Sequence, residues 1–170
     1  MSCAITLAGI ARDCLANMGG VRKVYIASHQ NVSAVTVTSD IITGITMAAS
    51  TKFYEYDFRP ETASMEIAWQ PNKQNGTLYA HTALTLAFHH MTTAKRLELN
   101  AMAVGELAVI VLDNNGKYWY LGYDHPVIID GGDSGTGTAF ADANRYGIVL
   151  GDDSKELPYE VDGSIIAGLL

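Results

Sequence analysis

The stretch 106–123, ELAVIVLDNNGKYWYLGY, constrains the fold more than any other part of the chain. Two runs rich in β-branched and aromatic residues flank Asn115-Gly116, a dipeptide suited to a tight reversal. The pattern predicts an antiparallel hairpin. A lone hairpin is marginal in water, so further strands must pack on it.

Those strands are visible as alternation. Val24 and Ile26 alternate with Lys23 and Tyr25 in 21–28, and Val35 and Val37 alternate with Thr36 and Thr38 in 32–38. The run 41–47 continues in the same style, with Gly44 expected as a bulge or kink. Farther on, Tyr54, Tyr56 and Phe58 fall on one face and Phe53, Glu55, Asp57 and Arg59 on the other, until Pro60-Glu61 interrupts. Ala63, Met65, Ile67 and Trp69 then alternate with Ser64, Glu66 and Ala68; a loop at 71–76 reverses the chain into a strand over 77–89 that carries Leu84, Leu86 and Phe88 on one face. These three runs are expected to form a meander.

One helix is predicted, over about 92–104. Ala94, Leu97, Ala101 and Val104 stand at helical spacing, Met91 and Met102 widen the stripe, Thr92 or Thr93 suits the N-cap, and Gly105 sits where a left-handed C-cap belongs. After the hairpin come a short run at 127–129, a glycine-rich segment, and strands near 145–150 and 159–161. No repeat or low-complexity linker divides the 170 residues, so a single domain over 1–170 is expected, with 131–138 as a flexible loop inside it. Many short strands and one helix predict a mainly β fold: an antiparallel β-sandwich or partly open β-barrel with one flanking α-helix.

Composition excludes several classes. Eleven Lys and Arg stand against 18 Asp and Glu, a formal charge of −7, which opposes a grip on nucleic-acid phosphates. Charged residues make up 17%, below the average of about 25%, and mean hydropathy is +0.10, so part of the apolar surface is expected to face partner subunits. Cys3 and Cys14 are too few for a disulfide framework and match no zinc spacing. No long apolar run predicts a membrane span, and no export signal is read at the start.

The search for chemistry ends without a signature. Gly132 and Gly137 have the outer spacing of a phosphate-binding loop, but Thr138 stands where Lys is needed. Asp130, Asp133 and Asp142 fit no calcium-loop spacing, and His81, His89 and His90 lack the further ligands of a metal site. Ser134 lies in no nucleophile elbow. The aromatic cluster Tyr118, Trp119, Tyr120 and Tyr123 lacks the interleaved basic residues of a base-stacking platform and reads as core and interface packing. No catalytic residue, cofactor or metal is expected.

Taken together, the start ending in Asn17-Met18-Gly19-Gly20, the strand VRKVYIA, Lys52-Phe53-Tyr54-Glu55-Tyr56, the helix TTAKRLELNAMAV and the hairpin LAVIVLDNNGKYWYLGYD resemble small virion proteins of tailed bacteriophages, above all tail-tube subunits. That resemblance implies a non-enzymatic structural protein made in the host cytoplasm and built into the virion tail. Its partners would be itself, in stacked and typically hexameric rings, and other tail proteins; DNA would pass through the channel as cargo during ejection. Candidate subunit contacts are Tyr54, Tyr56, Trp69, Asn115, Gly116, Trp119, Gly132 and Gly135, and candidate channel-lining acids are Glu55, Asp57 and Glu66. Other readings are a head-to-tail adaptor, a tail terminator or a capsid decoration protein; a different class is a ligand-binding β-barrel or hydrolase.

Overall fold

The computed structural model describes residues 5–170, so Cys3 lies outside the described residues. In chain order the strands are β1 (Val21–Ser28), β2 (Val32–Thr38), β3 (Ile41–Met47), β4 (Tyr54–Asp57), β5 (Ala63–Asn72) and β6 (Thr77–His89). Helix α1 (Thr93–Val104) follows, then β7 (Leu107–Asp113), β8 (Tyr118–Leu121), β9 (Ile128–Gly131), β10 (Ser134–Gly135), β11 (Arg145–Ser154) and β12 (Tyr159–Val161). A seven-stranded sheet runs β2-β3-β12-β8-β7-β1-β4, and a five-stranded sheet runs β10-β11-β6-β5 with β9 also on β11. Neither sheet closes on itself, so the fold is an open sandwich and not a barrel. All pairings are antiparallel except β12 with β3.

β7 explains why the hairpin sequence is so apolar. Leu107, Val109 and Val111 enter the core between the sheets, against Leu84, Leu86 and Leu150. Ala108, Ile110 and Leu112 enter a second core on the opposite face, with Tyr25, Phe53 and Tyr120. Val35, Ile45 and Met47 of the β2–β3 hairpin cover that second core together with Ile166 and Leu169. A strand buried on both faces reads as a continuous hydrophobic run, and each fully buried aliphatic side chain contributes about 1.5–3 kcal/mol. The turn beyond β7 is organised by Asp113, whose Oδ1 accepts the N–H groups of Asn115 and Lys117 at 2.8 and 2.9 Å, with Gly116 at φ +81°. The bulge expected at Gly44 is present beside it, where the β2–β3 register shifts between Thr36 and Val37.

The expected meander does not form. β4 pairs with β1, Val24 opposite Tyr56, whereas β5 pairs only with β6 in the other sheet. The turn between them, with Glu61 at φ +63° and Thr62 Oγ1 donating to the Arg59 carbonyl, carries the chain from one sheet to the other. Alternation fixes which side chains share a face, not which strand lies alongside.

The helix forms where expected, but of the expected apolar stripe Met102 is buried and most of the rest is not. Thr92 Oγ1 caps it by accepting from the Lys95 N–H at 3.3 Å. Leu99 and Met102 enter the inter-sheet core, while Leu97 and Val104 remain 57% and 90% exposed. Leu97, Ala101 and Val104 of the expected stripe therefore face solvent, while Ala94 borders a groove beside β4. The helix carries apolar residues on two opposite sides, and only packing decides between them. Gly105 is extended, at φ −93° and ψ 154°, and forms no left-handed cap.

Segment 131–138, expected as a loop, is partly edge strand. Ser134 pairs with Tyr146 and Gly135 with Arg145, and the Gly147 N–H donates to the Asp133 carbonyl at 2.6 Å. A Cβ on Gly132 would lie 2.4 Å from the Gly147 carbonyl oxygen, and one on Gly147 would lie 2.5 Å from Asp133. These glycines permit two backbones to touch.

Candidate assembly interface

The five-stranded sheet ends in β5, ten residues long, whose only partner among the described residues is β6. Beyond Ala63 and Met65 the β5–β6 hairpin leaves the core, and Ile67, Trp69, Leu78 and Tyr79 are exposed. Its turn is set by Asn72 Oδ1, which accepts from the N–H groups of Gln74 and Asn75, and by Gly76 at φ +67°. Among the described residues, no layer covers the outer face of this sheet. Register places Glu66 opposite Ala83 and Asp153 opposite His81, so acids and small residues share that face. The His81 ring lies between Asp153, at 2.8 Å from Nδ1, and Asp130, at 3.4 Å from Nε2.

The residues singled out from the sequence are scattered over the molecule. Tyr54 stands exposed on β4 with Lys52 over its ring. Tyr56 is half-buried against Phe88 and donates its hydroxyl to Glu98 Oε2 at 3.2 Å; burial first, then that carboxylate, pushes its pKa up to about 12. Trp69 lies on the projecting hairpin, while Trp119 packs on the inter-sheet core with its indole N–H on Asp113 Oδ2 at 3.0 Å. One open groove nevertheless has both indoles in its wall, together with Ile41, Leu157 and Pro158.

The tip of the β7–β8 hairpin is engaged within its own chain. Asn115 Oδ1 accepts from the Met18 N–H at 2.9 Å and its Nδ2 donates to Asn17 Oδ1 at 2.9 Å. Asn114 Nδ2 donates to the Gly19 carbonyl at 2.7 Å. Asn114 and Asn115 thus fasten the base of the N-terminal arm, while Gly116 only completes the turn, its N–H on the Asp113 carbonyl. Gly132 is held against β11, whereas Gly135 meets nothing within 4 Å of a built Cβ.

The three acids proposed for a channel wall do not share one. Glu55 and Asp57 belong to β4 in the seven-stranded sheet, where Lys23 Nζ lies 2.7 and 3.9 Å from them. Glu66 points from the outer face of the other sheet. The acids that do accompany Glu66 are Asp130 and Asp153, which only the β9–β11 and β6–β11 pairings bring near.

A second groove lies between β4 and α1. Its floor is Tyr56, Phe88, Leu99 and Met102, its rim includes Glu55, Asp57 and Glu98, and its volume is about 290 Å³. No signal in the sequence marks it: of its helical floor, Met102 belongs to the expected stripe and Leu99 does not. Inside the fold, Asp152 is buried; its carboxylate accepts from the Gly122 N–H at 3.1 Å and from Ser154 Oγ at 3.0 Å. Burial raises its pKa, and Asp153 and Asp124 act in the same direction.

The loop acids considered for calcium diverge. Asp130 meets His81, Asp133 pairs with Arg145, and Asp142 caps the turn at Thr138 and Ala139. Among the described residues no group of three or more His, Cys, Asp or Glu is placed to hold a metal ion. Among them, too, no helix is long and apolar enough to cross a membrane. Comparison with protein-family models, curated proteins and solved structures finds no match for this chain.

Proposed function

We propose that the chain is a self-assembling structural subunit that forms rings around a channel, as the resemblance to tail-tube proteins of tailed bacteriophages implies. The observation that carries this reading is the five-stranded sheet, with one face in the core and, among the described residues, the other face bare and the long β5 edge unpaired. An exposed apolar edge strand is a template for another chain. In a ring, β5 of one copy would lie beside the β9–β10 side of the next, a heterologous contact that closes by rotation. The bare face would then line the channel and present Glu66, Asp130 and Asp153, a balance under which DNA passes without adhering.

Electron microscopy of the purified chain tests the reading. Rings or tubes of uniform bore are the expected result, and single rings that never stack favour an adaptor or terminator role. Ile67→Lys places a charge on the partly exposed inner side of the β5 edge and should leave a folded monomer. A wild-type chain that stays monomeric at high concentration refutes the proposal.

A further inference from the structure

We propose that the groove between β4 and α1 receives the N-terminal arm of a second copy of this chain. Arm residues 7–12 would lie as an added strand along the free edge of β4, with Ile10 on the apolar floor and Arg12 on the acidic rim. The proposal rests on the self-assembly reading only in taking a second copy as partner.

Three observations converge on it. First, β4 ends the seven-stranded sheet, with β1 on one side and, among the described residues, no strand on the other. An extended segment adds to such an edge through main-chain hydrogen bonds, and pockets for alternate side chains then supply selectivity. The groove supplies one such pocket beside that edge, about 290 Å³ over Tyr56, Phe88, Leu99 and Met102.

Second, the arm has the complementary pattern. Residues 5–16 form no strand or helix, and Ile5, Leu7, Ile10 and Leu15 keep between 79% and 102% of their surface exposed. None of them lines the groove of its own chain. The arm's base is fastened at Asn17 to Gly20 on the β7–β8 tip, and a dozen extended residues beyond that point span about 40 Å. Gly9, now at φ +75°, can adopt the extended conformation that a strand requires.

Third, the charges match. Residues 5–12, ITLAGIAR, carry one charge, Arg12. In an extended chain Ile10 and Arg12 point the same way, about 7 Å apart. The rim they would meet is acidic and partly unsatisfied. Lys23 takes Glu55 at 2.7 Å but stands 3.9 Å from Asp57, and Glu98 meets only the Tyr56 hydroxyl. Lys95, the cation on the same wall, is committed to the carbonyls of His89 and His90.

The test uses the full chain carrying Ile10→Asp, so that its own arms do not compete, and a fluorescein-labelled peptide of residues 5–13. A saturable anisotropy rise is expected. Ala94→Trp, which fills the groove from α1, should weaken binding at least tenfold, and Glu98→Arg several-fold, both with an unchanged melting temperature. Should Ala94→Trp not fold, Glu98→Arg carries the comparison. No saturable binding, or binding indifferent to both substitutions, overturns the proposal. A wild-type monomer that refuses the peptide while the Ile10→Asp chain accepts it also overturns it, because the arm then fills its own groove. Lost peptide binding with rings intact overturns this contact alone. Peptide binding retained without rings refutes the tube and upholds the groove.

Discussion

Replacing Gly132 by alanine separates a packed edge strand from a flexible loop. A Cβ at this position would stand 2.4 Å from the Gly147 carbonyl oxygen and 3.0 Å from the Ile148 Cα, both backbone atoms that cannot rotate aside. The segment must move off β11, and the 2.6 Å hydrogen bond from the Gly147 N–H to the Asp133 carbonyl goes with it. Overpacking of this kind costs about 1–3 kcal/mol, and the lost hydrogen bond adds about 1 kcal/mol. For a chain of this size each kcal/mol lowers Tm by about 2–4 °C, so a fall of roughly 5–15 °C is expected by calorimetry. Gly131→Ala and Gly135→Ala are the controls, since neither Cβ would meet anything within 4 Å. They should change stability by no more than about 0.5 kcal/mol. Equal behaviour of all three variants would refute the close crossing. The same substitution disturbs the side of the sheet that a neighbouring β5 would join, so ring formation should weaken more in Gly132→Ala than in the controls.

Three further outcomes follow from the packing. Leu84→Ala removes a wholly buried side chain between the sheets and should cost about 3–5 kcal/mol in urea unfolding. Asp152→Asn should stabilise the protein at pH 7 and leave it unchanged near pH 3, read from urea midpoints at the two pH values. Burial lifts the Asp152 pKa above 3.8, so the wild type loses stability as pH rises from there through the folded-state value, whereas the uncharged amide still accepts from the Gly122 N–H and donates from its NH2 to Ser154 Oγ. Asn114→Ala removes the bond to the Gly19 carbonyl, and exchange of the neighbouring Met18 N–H should quicken about fivefold while the β1–β7 pairs keep their protection.

Strand positions were legible because alternation and turn residues are local properties. The hairpin at β7–β8, the strands β1 to β3 and the Thr92 cap all follow from residues adjacent in the chain. Partners were not legible, since the pattern YEYDFRPETASMEIAW is the same whether the turn at Pro60-Glu61 folds a hairpin or crosses to a second sheet. The helix shows the same limit. Its two-sided apolar pattern becomes a buried face only once Leu99 and Met102 meet the core, so the groove over them could not be foreseen. The candidate wall of Glu55, Asp57 and Glu66 is split for a related reason: nothing local in the sequence shows that β4 and β5 belong to different sheets.

Among the exposed edges, the contrast in protection argues for β5 as the one left for a neighbour. β2, at one end of the seven-stranded sheet, shifts register twice against β3, and such irregularities discourage a further strand. β4, at the other end, has four residues, enough for a short arm segment and too few to join two sheets. β10 has two, and β9 meets β11 through a register shift. β5 runs ten residues in unbroken register with β6; its one acid, Glu66, points outward from the sheet, and Pro71 guards only its distal end. A stable monomer would be expected to shield its longest edge first. Here the longest edge is the least shielded, and it borders the only sheet face without a covering layer among the described residues. In the proposed ring, a neighbouring copy would cover both surfaces at once, since they meet along one strand.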